Sequence, residues 1–274
     1  MAKIPFMKLS GAGNDFVIID NLKRIVPYEN TDFVAKICER RMSVGADGIL
    51  LVENSEQADF KMRYFNADGG EAETCGNGAR CISKFAHING ITSDRMRFET
   101  KAGIYESEIL KSGVKVRMSD PTDVRLNFPL RLEDCVYTVC SVNSGVPHVV
   151  FFIEDLEAAD VVNLGAQTRY HGDFQPAGTN VNFVRIKNER EIDVRTYERG
   201  VEDETLACGT GSIASAVLSA LLGKTVAPVA VRTASGAVLT IHFELADGGA
   251  KNVHLEGDAR VIYAGELEEG AWNY

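Results

Sequence analysis

The chain is written twice. "GEAETCGNGARCISKFAHING", residues 70–90, and "ETLACGTGSIASAVLSALLGK", residues 204–224, share one punctuation: a cysteine, then two closely spaced glycines opening a helical stretch. Cys75 and Cys208 stand 133 positions apart, and the same offset pairs Gly45 with Gly178, Tyr64 with Tyr197 and Glu71 with Glu204. It continues through Gly76 and Gly78 with Gly209 and Gly211, Gly90 with Gly223, and Thr100 and Gly103 with Thr233 and Gly236. Near the start the offset becomes 134, matching Ser10-Gly11 to Ser144-Gly145. Glycines coincide by chance one at a time, not in a register held from Gly45 to Gly103, so two halves of similar fold are expected.

Each half has the same coarse grammar. Alternating segments such as "FKMRYF", "IDVRTY", "VKVRM" and "AVLTIHFE" read as strands. After Cys75, residues Ala79, Ile82, Phe85 and Ile88 form an apolar helical face that stops at Gly90. After Cys208 the helix is apolar nearly all round and must be enclosed. The expected fold is α+β, in two pseudo-symmetric lobes, each a curved, mostly antiparallel sheet or barrel around a central helix. The expected division gives residues 1–119 to a first lobe, with 262–274 packing back onto it, and 120–261 to a second.

Charge and cysteine usage narrow the function. A formal net charge of -10 argues against nucleic acid or an anionic membrane as partner. The start lacks an apolar run of signal-peptide length, and the apolar helix near Ile213–Leu222 is too short to span a bilayer. A cytoplasmic protein is the expectation. Six cysteines without a C-x-x-C pair, and five histidines without H-E-x-x-H spacing, give neither a disulfide framework nor a metal site. Cys38, Cys81, Cys135 and Cys140 read as small buried hydrophobes.

Cys75 and Cys208 read differently. A helix N-terminus carries unpaired N–H groups and about half a positive charge, so it attracts a carboxylate and favours a thiolate. Thiol pKa values there fall from about 8.5 into roughly the 3.5–7.5 range, where acid–base work at neutral pH becomes practical. A single nucleophilic cysteine would not explain the symmetry. Two equivalent thiols suit inversion at a carbon bearing hydrogen, one removing a proton from one face and the other delivering a proton to the opposite face.

The phrases "GAGNDFVIID", "VGADGILLVE", "FNADGGEAETCGNGAR", "GVPHVV", "GTNVNFV" and "YERGVEDETLACGTG" closely resemble the diaminopimelate epimerase family, in family order from Gly11 to Gly211. The resemblance implies a PLP-independent epimerase, with no cofactor and no metal, interconverting LL- and meso-2,6-diaminopimelate on the route to lysine and peptidoglycan. It implies Cys75 and Cys208 as the acid/base pair, and His148 and Glu198 as groups tuning the thiols. Gly76, Asn77, Gly209 and Thr210 would hold the reacting carboxylate, and Asn14, Asn66, Asn182, Glu198 and Arg199 the remaining amino and carboxylate groups. Tyr263 falls at the family's dimer interface, implying a homodimer. Two positions depart: Gly48, where some members carry Gln, and Val146, where many carry Asn. The rival readings are a two-thiol racemase of another amino acid, separated by the polar groups at the far end of the substrate, and a non-catalytic amino-acid-binding or redox-sensing protein, separated by α-proton exchange.

Overall fold

The computed structural model describes residues 3–26, 31–72, 75–133 and 135–274. The chain forms two compact units, Met1–Val116 with Gly257–Tyr274, and Arg117–Glu256.

In the first unit the strands are β1 (Ile4–Gly11), β2 (Asn14–Asp20), β3 (Gly48–Glu53), β4 (Phe60–Asn66), the short β5 (Glu71–Ala72), β6 (Arg95–Thr100), β7 (Gly103–Ile109) and β8 (Val114–Arg117). Helix α1 (Thr31–Cys38) precedes β3, and α2 (Gly76–Ile88) follows β5. The second unit contains β9 (Thr122–Leu132), β10 (Cys135–Asn143), β11 (Pro147–Phe152), α3 (Val161–Arg169), β12 (Asn180–Asn188), β13 (Glu191–Glu198) and β14 (Asp203–Thr205). It continues with α4 (Gly209–Leu221), β15 (Val229–Arg232), β16 (Val238–Ala246) and β17 (Gly249–Gly257). A last strand, β18 (Arg260–Leu267), returns to pair with β1 in the first unit.

The strands of the two units follow the same order. The first runs β18-β1-β2-β3-β4-β6-β7-β8 and the second β9-β10-β11-β12-β13-β15-β16-β17. Parallel pairs fall at the same two places, β2–β3 and β4–β6 against β11–β12 and β13–β15. The rest is antiparallel, so the fold is the α+β repeat expected from the sequence.

Parallel neighbours are covered on both faces, which explains their unbroken apolar runs. Phe16–Ile19 and Ile49–Val52 are buried without alternation. Val17, Ile19, Ile49 and Leu51 pack with Phe33, Val34 and Ile37 of α1 on one side. On the other side α2 lies so close that a Cβ at Gly78 would touch Met62 and Leu50 at 3.4 and 3.5 Å. In the second unit Val149, Phe151, Val181 and Phe183 pack with Val161 and Leu164 of α3, while α4 lies against β10, β11, β12 and β16.

Helix α4 is enclosed, with every residue from Gly211 to Ala220 buried. Its three serines in that stretch satisfy their hydroxyls locally, Ser212 on Cys208 O, Ser215 on Gly211 O and Ser219 on Ala216 O, at 2.7–2.8 Å. Both cysteine helices end alike. Gly90 and Gly223 take φ near +70°, and the next N–H returns to the helix, Ile91 to Ala86 O and Lys224 to Ser219 O. Among the described residues no helix is long and apolar enough to cross a membrane.

Strand register corrects one pairing taken from the constant offset. Leu50 lies opposite Tyr64 and Gly48 opposite Asn66, whereas Val181 lies opposite Tyr197 and Asn182 opposite Thr196. With Phe16–Gly48 matched to His148–Asn180, Tyr64 corresponds to Thr196, not Tyr197, and Asn66 to Glu198. The cause is one extra residue between Glu198 and Glu204 compared with Asn66 and Glu71, after which the 133 offset resumes. A one-residue slip exchanges the faces of a strand, so this decides which side chains share a surface.

Candidate active site

Each of the two cysteines caps its helix. Cys75 (φ -147°, ψ 124°) and Cys208 (φ -123°, ψ 116°) hold extended N-cap geometry, and their sulfurs accept from Gly78 N at 3.5 Å and Gly211 N at 3.3 Å. The first intrahelical bonds run from Ala79 N to Cys75 O and from Ser212 N to Cys208 O. The N–H groups of Gly76, Asn77, Gly209 and Thr210 precede them and remain for a ligand. Donation to sulfur from the capping N–H favours the thiolate. At the third position after the Cys208 cap glycine is needed for room: a Cβ at Gly211 would overlap Asn182 Oδ1. Gly76 faces open space, and a Cβ at Gly209 would meet only Leu255, at 3.2 Å. Glu73 and Thr74, just before Cys75, lie outside the described residues.

Cys208 is joined to a buried polar chain. Its sulfur lies 3.5 Å from Thr210 Oγ1, which lies 2.9 Å from His148 Nε2. His148 Nδ1 lies 3.0 Å from Asn182 Nδ2, and that same nitrogen donates to Val149 O at 3.2 Å. A backbone carbonyl only accepts, so this atom is the amide nitrogen and its second hydrogen points at Nδ1. Nδ1 is therefore the acceptor, and Nε2–H donates to Thr210. The threonine hydroxyl is left free to donate to the sulfur. Thr196 Oγ1 donates to Asn182 Oδ1 at 3.0 Å and completes the arrangement.

Burial, and next the Arg199 charge, push the His148 imidazole down to about 3, so it is neutral at pH 7. Burial, and next the Glu198 carboxylate, push the Cys208 thiol up to about 12, outweighing the hydrogen bonds from Thr210 and Gly211. In this state Cys208 carries a proton. Within the second unit His148, through Thr210, and Glu198 both bear on Cys208. Glu198 also accepts from Thr205 Oγ1 at 2.7 Å. Arg199 donates its backbone N–H to Asn180 Oδ1 at 2.8 Å and its Nη1 to Ala177 O at 2.6 Å.

The first unit uses the same frame with different chemistry. The positions matching His148, Asn182 and Thr196 hold Phe16, Leu50 and Tyr64. Asn77, the counterpart of Thr210, donates from Nδ2 to Asn14 Oδ1 at 2.7 Å, and Asn14 Nδ2 donates to Asp47 Oδ2 at 3.0 Å. Arg80 Nη2 donates to Asn77 Oδ1 at 2.7 Å and so fixes the direction of this chain. Asn66 ends β4, exposed, above a tight turn closed by Asn66 N to Gly70 O at 2.9 Å. Arg63–Glu71 at 2.8 Å and Arg195–Glu204 at 2.6 Å repeat one ion pair behind each cysteine helix.

Asn14 joins Asn77, two residues after Cys75, in the first unit, while Glu198, Gly209 and Thr210, with His148 and Asn182 behind them, gather at Cys208 in the second, and the Arg199 charge acts on His148. Tyr263 on β18 shares none of these hydrogen bonds; its ring meets Phe6 edge-on, centroids 5.8 Å apart. The departure at Gly48 has a local reason. A Cβ there would overlap Phe65 O and come within 2.7 Å of Tyr64 Cε2, so the tyrosine ring occupies the space a side chain would need. Val146 follows the turn at Gly145 and matches Asn14 in register, which leaves the amide on one unit only. Sequence reasoning missed Arg80, Asn180 and Thr196. The signal for Asn180 is its spacing of two from Asn182 within "NVNFV", polar residues on one face of an otherwise apolar strand.

The diaminopimelate epimerase family model matches residues 6–124 and 140–262. The chain is 44% identical to the diaminopimelate epimerase of Aquifex aeolicus, covering 98% of this chain and 99% of that one. It is 42% identical to the diaminopimelate epimerase of Chlorobaculum tepidum, covering 94% and 99%. Among solved structures, a PhzF-family phenazine biosynthesis protein from Bacillus anthracis superposes with a TM-score of 0.68 at 15% identity, covering 98% and 100%. A hydroxyproline epimerase from Agrobacterium vitis superposes with a TM-score of 0.66 at 15% identity, covering 99% and 95%. These two similarities establish the two-lobed fold.

Proposed function

The chain belongs to the diaminopimelate epimerase family, and from that premise we propose that Cys75 and Cys208 are the base and acid that invert one α-carbon of diaminopimelate. The observation that carries this reading is the repetition of one device: a cysteine N-cap on a glycine-opened helix, once in each unit.

Inversion needs a base on one face of the carbon and an acid on the other. A thiolate removes the α-proton, the C–H electron pair moves onto the carbon and its carboxylate, and the second thiol delivers its proton to the opposite face. The first-turn N–H groups at Gly76, Asn77, Gly209 and Thr210 suit the carboxylate, on which charge grows as the proton leaves. Arg199 offers a planar fork to the far carboxylate and Glu198 an acceptor for an ammonium. Asn14 and Asn66 add amides. Asn182 has both amide hydrogens committed, to His148 and Val149, so it acts chiefly by orienting the imidazole.

Two further features belong to the proposal. Val261, Ile262 and Tyr263 are 41%, 52% and 44% exposed in succession on β18, a surface suited to pairing with a second copy. Cys38, Cys81, Cys135, Cys140 and Cys208 are thiols outside any disulfide, which suits the reducing cytoplasm.

The test is interconversion of LL- and meso-diaminopimelate by the purified, reduced protein. Turnover of LL without turnover of the DD isomer supports strict reading of the far stereocentre, since a site built to hydrogen-bond a group rejects its absence by about 10⁴ or more. Racemisation of a monoamino acid in preference to diaminopimelate would overturn the substrate assignment.

A further inference from the structure

We propose that Arg80 is a positioning residue that makes the two thiols unequal, holding Cys75 as the thiolate while Cys208 keeps its proton in the substrate-free enzyme. The inference rests on the two-thiol reading and deepens it.

The duplication supplies the comparison. Five residues after Cys75 stands Arg80; five after Cys208 stands Ile213. Both side chains are fully buried. The guanidinium donates to Gly76 O at 3.3 Å, Asn77 Oδ1 at 2.7 Å and Asp258 O at 3.2 Å, all neutral oxygens. Among the described residues no carboxylate oxygen pairs with it. A buried cation bonded only to neutral acceptors favours an anion nearby. The ionisable groups whose charge acts on it are Cys81, Cys75 and Asp258. Burial pushes Cys81 up to about 12, so it stays neutral. The Asp258 carboxylate is occupied by Arg260 at 2.9 Å and by Ala12 N at 3.1 Å. Cys75 is the remaining group, and Arg80 bonds to the two residues that follow it.

Among the described residues, Tyr64 and Asp47 do not oppose this. Tyr64 on β4 is pushed upward by burial, and next by Cys75 itself, so it remains a neutral phenol. Asp47 pairs with Arg40 at 3.0 Å. Around Cys208 the groups differ: Ile213 is apolar, His148 is neutral, Glu198, the register counterpart of Asn66, offers a carboxylate, and the Arg199 guanidinium, which acts on His148, donates to Ala177 O at 2.6 Å. One frame thus carries a buried cation beside one thiol and a carboxylate beside the other.

The consequence is a direction. In the resting enzyme the Cys75 thiolate takes the α-proton and becomes a thiol, and the Cys208 thiol gives its proton to the opposite face and becomes a thiolate. One proton enters the protein and one leaves. The resting state is restored by proton exchange with water.

The test is the pH dependence of iodoacetamide alkylation in the full-length reduced protein, each cysteine followed by peptide mass spectrometry. The Cys75 midpoint is expected at least about two pH units below that of Cys208. In Arg80→Met the Cys75 midpoint rises by about one pH unit or more while that of Cys208 stays, and Arg80→Lys restores the wild-type value. If the methionine variant does not fold, Arg80→Gln keeps donors and drops the charge, and makes the same comparison. A Cys208 midpoint at or below that of Cys75, or a Cys75 midpoint unmoved by loss of the charge, overturns the inference. The two-thiol reading fails separately, through a Cys75→Ala protein that still epimerises.

Discussion

The Thr210 hydroxyl stands between His148 and Cys208, 2.9 Å from the imidazole Nε2 and 3.5 Å from the sulfur. We propose that the histidine acts on the thiol through this threonine, whose hydroxyl accepts from Nε2–H and is left to donate to the sulfur. Thr210→Val, which keeps the shape and removes the hydroxyl, is expected to lower kcat about tenfold, the worth of one hydrogen bond. Thr210→Ser should stay near wild type. Equal activity of the valine and serine variants in steady-state kinetics would remove the relay from the account.

The buried imidazole should show itself in acid. His148 takes its proton at about 3 in the folded chain and at 6.5 in the unfolded one, so the unfolded state binds the proton first. Its contribution to stability is full above pH 6.5 and is lost as pH falls, by up to about 1.4 kcal/mol per pH unit. Urea unfolding at pH 7, 6 and 5 should show this fall in the wild type and a flatter profile in His148→Gln. The same slope in both proteins would place the loss elsewhere.

Two glycines, the first residue of α2 and the third of α4, should separate stability from function. Gly211→Ala would overlap Asn182 Oδ1 and is expected to cost about 1–3 kcal/mol in chemical denaturation. Gly76→Ala meets open space and should leave stability unchanged or raise it by up to about 1 kcal/mol. In the proposed site its methyl group meets the substrate carboxylate, and kcat/KM is expected to fall by about a hundredfold. A stable and fully active Gly76→Ala protein would contradict the placing of the carboxylate.

The dimer proposal turns on Tyr263. Light scattering should give a dimer for the wild type and a folded monomer for Tyr263→Asp, which places a charge in the exposed apolar run of β18. A dimer in both would move the interface to another surface.

The duplicated fold was legible because glycines and cysteines mark turns and helix mouths that only certain backbones accept, as at Gly90 and Gly223. The enclosed α4 was legible from the absence of a polar face. The finer register was not. One extra residue before Glu204 makes Thr196, rather than Tyr197, the counterpart of Tyr64, and spacing alone does not locate such an insertion. The polar chain on Cys208 was also hidden, because β11 and β12 pair in parallel across α3 and bring His148 beside Asn180 and Asn182 only in the folded chain. Arg80 escaped notice because an arginine in a helix is ordinarily solvent-facing, and its burial depends on acceptors as distant in sequence as Asp258.

The central claim is that two thiols share one inversion, and the direct measurement is α-proton exchange in heavy water by Cys75→Ala and Cys208→Ala. Both variants are expected to lose epimerisation in both directions, because inversion needs an acid and a base together. Each should retain slow exchange with retention on one isomer, and on opposite isomers for the two variants. The double variant should add little to either loss, since the residues act as one unit. Near-normal epimerisation by Cys75→Ala, or by Cys208→Ala, would contradict the account.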